Sequence, residues 1–230
     1  MNKNYQMSSS HKSFASTFLV IALLSSAALT MSCQQPQEYP EKEQLTLQQQ
    51  QQQQQFQAWL KTQPPQHVQA YQQLLARHLK HPPSLFELSY NSHPASKDCF
   101  YQPFALPPEK LWANIIPPLK LLENLNHAQV ITPYHLSSTY RDPAANICIR
   151  GAKGSKHLNN TAIDFQLEDS SANNIQMVEQ RLCRYWKQYG RSKQMGLGIY
   201  GRGRFHIDVQ GYRTWGKDYK RVSSACLQSA

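Results

Sequence analysis

Two short stretches of the chain set histidine and aspartate close together. GSKHLNNTAIDF, Gly154 to Phe165, carries His157 and Asp164 and changes midway from polar turn to alternating strand. RFHIDV, Arg204 to Val209, supplies His206 and Asp208. Side chains along a strand alternate between its faces. In the first stretch Ile163, Phe165 and Leu167 share one face, and Ala162, Asp164 and Gln166 the other. In the second, Phe205, Ile207 and Val209 face a core while Arg204, His206 and Asp208 share the opposite side. Three or four groups able to bind a metal therefore lie on the non-core sides of two strands, with His157 in the turn before the first. A His/Asp/His set that leaves one position open is a ligand type found around catalytic zinc. Zinc polarises a carbonyl and lowers the pKa of its water to about 7, which is the chemistry of amide hydrolysis. Half-buried strands also carry polar residues on a wet face without any such role, so alternation alone leaves both readings open.

These residues converge only if a sheet and its backing helices place them. Val68, Tyr71, Leu74, Leu75 and Leu79 follow helical spacing within Phe56 to Lys80, a segment broken at Pro64-Pro65. A second helix is expected from about Pro108 to Asn126, kinked at Pro117-Pro118. A third runs from Ile175 to Tyr189. Short strands are expected at Gln129 to Tyr134, Thr161 to Leu167, Gly198 to Tyr200 and Arg204 to Val209. Helices before and between short strands, without regular β-α-β alternation, indicate an α+β fold. The expected architecture is a small, mostly antiparallel sheet flanked by helices, with an N-terminal helical extension.

The N-terminal third has another purpose. Lys3 and Lys12 precede the apolar run Phe14 to Leu29, and Cys33 follows Thr30-Met31-Ser32. The run is short for a membrane span of roughly 20 apolar residues and has the layout of an export signal. A cysteine directly after a small residue resembles a bacterial lipobox, with Cys33 as the lipidated new N-terminus and Thr30 where leucine is favoured. Residues 1–32 are thus expected to be a signal peptide and 33–55 a polar tether ending in Gln48 to Gln55, a tract that could instead extend the following helix. Residues 56–95 form the helical extension and 96–230 the main domain. The remaining cysteines, Cys99, Cys148, Cys183 and Cys226, are even in number, as disulfides in an oxidising compartment require. Three pairings are possible. No C-x-x-C pair suggests a zinc-cysteine site. The net charge of +10 suits an anionic partner; the export signal and the lack of a binding motif argue against nucleic acid.

Four motifs, in order, resemble the zinc D-Ala-D-Ala peptidases and murein endopeptidases of the hedgehog and lysostaphin-like superfamily. Ser138-Thr139-Tyr140-Arg141 with Asn146 is similar to S-x-Y-R-x-x-x-x-N. Ser155-x-His157-x-x-Asn160-x-Ala162-x-Asp164 is similar to S-x-H-x-x-G-x-A-x-D. Gly198-Ile199-Tyr200 with His206-x-Asp208 resembles G-I-Y…H-x-D, and Gly211 to Trp215 the closing segment. The resemblance spans about Leu111 to Gly216. It implies one zinc ion held by His157, Asp164 and His206, and a stem-peptide carboxylate or carbonyl held by Arg141, whose fork can donate two parallel hydrogen bonds. Two positions depart from the pattern. Asn160 replaces a glycine, tolerably if φ is positive there. Gly203 stands where the carboxypeptidase branch has its general-base carboxylate, a lack shared with the endopeptidase branch.

The resulting expectation is a periplasmic, monomeric zinc peptidase acting on peptidoglycan stem peptides or cross-links and anchored to the outer membrane only through Cys33. Asp208 is expected as the catalytic base; its alternative role is to orient a ligand histidine while His135 or His127 serves as base. The rival function is a non-catalytic peptidoglycan-binding module on the same fold.

Overall fold

The computed structural model describes residues 46–93 and 102–228. The expected signal peptide, most of the tether, Cys33 and Cys99 lie outside them. Helix α1 (Leu47–Leu60) opens with a capping box: the Thr46 side chain accepts from Gln49 N–H, and the Gln49 side chain accepts from Thr46 N–H. The glutamines 48–55 are therefore helical, the alternative their composition left open. Glutamine is a fair helix former, and Phe56 and Trp59 anchor the far end by burial. Helix α2 (Pro65–His78) starts with proline at its first position, where the missing N–H has no helical partner to lose. Helix α3 (Leu85–Ser89) repeats the capping box with Ser84 and Glu87. Phe56, Trp59, Phe86 and Phe104 pack ring against ring, with centroids 5.3–5.8 Å apart. Each buried ring of this size contributes roughly 1.5–3 kcal/mol.

A 3₁₀ segment (Glu109–Ile115) leads into α4 (Ile116–His127). The expected kink at Pro117-Pro118 is absent because both prolines fall in the first turn of α4, where no N–H bond is lost. The first strand also lies later than expected. Pro133 has no N–H for a ladder, and pairing begins at Tyr134, opposite Leu167.

The sheet contains β1 (Tyr134–Ser138), β2 (Ala162–Leu167), β3 (Gly196–Gly201), β4 (Arg204–Asp208) and β5 (Arg213–Trp215), in the order β1-β2-β4-β3-β5. All neighbours are antiparallel except β3 and β5. Helices α5 (Pro143–Cys148), α6 (Ala172–Tyr189) and α7 (Ala225–Gln228) complete the described chain. The sheet's apolar face, with Ile163, Phe165, Leu197, Phe205 and Ile207 buried, belongs to one core with Leu119, Leu122 and Leu125 of α4 and Val178, Leu182 and Trp186 of α6. This is the expected α+β arrangement. The opposite face is left for chemistry.

Cys183 of α6 and Cys226 of α7 form a disulfide, and Cys148 is also disulfide-bonded. The segment after α3 joins the β1 edge: Ser92 N–H donates to the Ser137 carbonyl at 2.9 Å and Thr139 Oγ1 to the Leu88 carbonyl at 2.6 Å. Among the described residues no helix is long and apolar enough to cross a membrane.

Candidate metal centre

The loop carrying His157 is built to hold that residue still. Lys156–Asn159 form a 3₁₀ turn, and Asn160 ends it in the left-handed region at φ 54°. Asparagine adopts that conformation more readily than most residues. Asn160 also does what glycine could not: its Nδ2 donates to the Leu111 carbonyl at 3.0 Å, and the buried Tyr71 hydroxyl of α2 sits beside it. Thr161 Oγ1 donates to the Lys156 carbonyl at 3.0 Å, and Arg141 N–H to the His157 carbonyl at 3.2 Å. The loop is thus bolted to the helical extension on one side and to the end of β1 on the other.

Strand pairing brings the remaining groups to it. Asp164 of β2 lies opposite His206 of β4, and Ala162 opposite Asp208. His157, Asp164 and His206 are all buried, and their ligand atoms lie within 4.8 Å of one another. His157 Nδ1 is 2.6 Å from the Thr139 carbonyl, which can only accept. Burial holds the His157 pKa below its ordinary value, so the ring is neutral, with its proton on Nδ1 and a lone pair on Nε2. That lone pair points at His206 Nδ1, 3.2 Å away, and lies 3.3 Å from Asp164 Oδ2. His206 Nδ1 is in turn 2.8 Å from Asp164 Oδ1.

Two nitrogens and a carboxylate converging in a buried site need positive charge between them. In the metal-free chain a proton supplies it. Burial alone would lower the His206 pKa, but hydrogen bonds to Asp164 and Asp208 outweigh burial and raise it to about 9. Burial would favour the neutral acid at Asp164, yet the flanking histidines hold its carboxyl well below the usual range. The spacings suit a cation equally well. Tetrahedral bonds of about 2.0–2.1 Å separate ligand atoms by about 3.3–3.4 Å, close to the 3.2 and 3.3 Å found around His157 Nε2. One proton on one ring is replaceable by one metal ion.

Asp208 sits on the far side of His206. Its Oδ2 accepts from His206 Nε2 at 3.0 Å and from the Arg213 guanidinium at 2.7 Å, while Oδ1 accepts from Gln210 N–H at 2.8 Å. Burial works against ionisation, but His206 and Arg213 hold the Asp208 pKa below its ordinary value. With no exposure and both oxygens engaged, Asp208 is placed to fix the His206 ring, which turns Nδ1 toward the cluster. Gly203, three residues before His206, is in the hairpin turn at φ 71°. A side chain there would meet Ile175 and Leu167 on the core side, so no carboxylate at that position could reach the cluster from this turn.

Arg141 is drawn inward. Its NH2 lies 3.9 Å from Asp164 Oδ2, and its NH1 donates to Asn146 Oδ1 at 3.4 Å. Asp142 takes no part, because its side chain caps α5 by accepting from Ala144 and Ala145 N–H. Tyr140 is buried, and Arg204 is exposed to solvent. His135 and His127 are exposed and stand apart: His135 pairs with Gln166, a full side-chain repeat beyond Asp164.

The histidine that does reach the cluster is His93. Its Nε2 is 3.7 Å from Asp164 Oδ2, and Arg141 NH2 lies 3.4 Å from its Nδ1. Its side chain is 29% accessible, against 8% or less for His157, Asp164 and His206. Burial, with help from Arg141 against Asp164, lowers its pKa to about 4, leaving a neutral imidazole at pH 7. No spacing rule marks it. It follows α3 and reaches the site because this segment joins the end of β1, through the Asn91–Ser138 bridge and the bond from Ser92 N–H to the Ser137 carbonyl.

This sheet carries on its non-core face a buried His/Asp/His cluster able to hold a metal ion. The Peptidase M15 family model matches residues 87–208, from α3 through Asp208 and a little over half of the chain, and the chain belongs to that family. No curated protein and no solved structure matches the chain significantly.

Proposed function

We propose that the chain is an exported zinc peptidase that hydrolyses peptidoglycan, within stem peptides or their cross-links, with His157 Nε2, Asp164 and His206 Nδ1 as the ligands of one zinc ion. The observation that carries this reading is the buried cluster's need for a central positive charge, inside the segment that matches a peptidase family. When bound, zinc supplies Lewis-acid polarisation of the scissile carbonyl and a water nucleophilic near neutral pH. The chain's own residues do the rest. Thr139 and Asp208 fix the tautomer and tilt of His157 and His206. His93 Nε2 accepts the proton of the attacking water and passes it to the leaving amine, a role the engaged oxygens of Asp208 do not suit. Arg141 holds a carboxylate or carbonyl of the stem peptide beside Asp164.

The export signal and Cys33 support a periplasmic, lipid-anchored location, and the positive charge favours contact with anionic wall or membrane components, an attraction that salt weakens. Digestion of purified muropeptides with and without a chelator, with products weighed by mass spectrometry, tests the reading. Chelator-sensitive loss of stem-peptide or cross-link bonds is expected. Binding without cleavage would instead mark a peptidoglycan-gripping module.

A further inference from the structure

On the β3 side of the cluster, opposite His93 and Arg141, the wall is aromatic. Gly198 pairs with His206, and the Trp215 ring lies across that glycine: a Cβ on Gly198 would come within 2.7 Å of the indole. The absent side chain lets Trp215 reach the site. Its ring stands 5.1 Å from the His206 ring, with the Arg213 guanidinium 5.3 Å from its centre on the way to Asp208. Its Nε1–H donates to the Tyr200 hydroxyl at 3.3 Å.

Tyr200 lies two residues along β3 from Gly198, so its side chain leaves the sheet on the face that carries His206. Its ring is 6.5 Å from the His206 ring. Tyr219 packs against it, tilted, at 5.5 Å from a turn in which Tyr219 itself takes a positive φ of 61° and is 74% exposed. A phenol has one proton to give and lone pairs to accept with. Trp215 occupies an acceptor site, and among the described residues no acceptor takes the Tyr200 proton. The hydroxyl lies within electrostatic reach of Asp164 and Arg141; burial, then the Asp164 charge, raise its pKa, so it stays a neutral donor.

We propose that Tyr200 is a further catalytic residue, its phenol O–H donating a hydrogen bond to the scissile carbonyl oxygen as negative charge develops there, with Trp215 as the positioning residue that aims it. The inference rests on the peptidase reading above. A fixed donor aimed at developing charge stabilises the transition state more than the ground state, and removing one such donor typically lowers turnover by ~10²–10³-fold. No proton is transferred, and bond breaking needs nothing further from this residue.

The test uses the mature zinc-loaded protein and Tyr200→Phe, which keeps the ring and its packing against Tyr219 but removes the O–H. Zinc content and KM for a cross-linked muropeptide should match wild type, while kcat falls ~10²–10³-fold. Affinity for a phosphinate pseudopeptide, whose tetrahedral oxygens mimic the developing charge, should fall in proportion, and affinity for the product peptide should not. Trp215→Phe, which retains Tyr200 but frees it from its donor, should lower kcat with zinc content and product affinity unchanged. Wild-type kcat in Tyr200→Phe would overturn this inference alone, as would a loss of kcat matched by loss of zinc. An inactive zinc-loaded wild type would overturn the peptidase reading along with it.

Discussion

At the scale of single residues, each group in the cluster has a different reason to be there, and substitution separates them. Asp208→Asn removes the charge and leaves one oxygen to serve His206 Nε2, the Arg213 guanidinium and Gln210 N–H, loosening the bond that turns His206 Nδ1 inward. Zinc affinity should fall ~10–100-fold, and excess zinc should restore most turnover; full zinc affinity with turnover lost would return Asp208 to the role of base. His93→Gln should do the opposite, leaving zinc content intact and cutting turnover by ~10²–10⁴-fold, the range of general acid–base catalysis. The pH dependence of metal binding follows from His206. Its pKa is about 9 in the metal-free chain, so below that value zinc must displace a proton. Affinity should rise with pH up to about 9 and level off above it, with proton release visible by calorimetry in buffers of different ionisation enthalpy. The same shift makes the proton stabilise the metal-free fold below His206's unfolded pKa, a contribution lost as pH rises through about 9. Asp164, His206 and Asp208 were legible from alternation because a strand's period is short and strict. His93 was not, because it comes from an irregular segment tied to the end of β1 by a bridge and a few long-range hydrogen bonds, and no local pattern encodes that.

At the scale of elements, the sequence reading succeeded where period decides and failed where context does. Helix α6 and strands β2 and β4 were recognisable from apolar spacing. Pro117-Pro118 was misread as a kink because position within a helix, not the residue, determines what proline does. The glutamine tract stayed open between tether and helix because its composition is that of a tether, while its helix depends on a cap at Thr46 and on aromatic burial further along. Asn160 shows how an element and the site depend on each other. Asn160→Gly keeps the turn conformation but loses the bond to Leu111, and should cost about 0.5–1.5 kcal/mol in denaturant unfolding. Asn160→Ala adds the penalty of positive φ, about 1–2 kcal/mol more. Equal stability of the two variants would show that the left-handed turn is not what this position requires.

At the scale of the whole molecule, the helical extension and the sheet share one core, so the metal loop is braced from both sides. Tyr71 and Leu111 reach His157's turn from α2 and from the segment before α4. The disulfide between Cys183 and Cys226 ties the last described helix to α6 across 43 residues. Its removal by Cys226→Ser should lower stability by ~2–4 kcal/mol, read from the denaturation midpoint under oxidising conditions. The even cysteine count was readable, but the pairing needed the fold. The central claim is that a single zinc ion in the His157, Asp164 and His206 cluster makes this chain a peptidase. Titrating the metal-stripped protein with zinc while following muropeptide turnover tests it most directly: activity should rise in proportion to bound zinc and level off at about one equivalent, in keeping with one cluster. Turnover that persists in the metal-stripped protein, or a His157→Ala variant that binds zinc and cleaves as wild type, would contradict it.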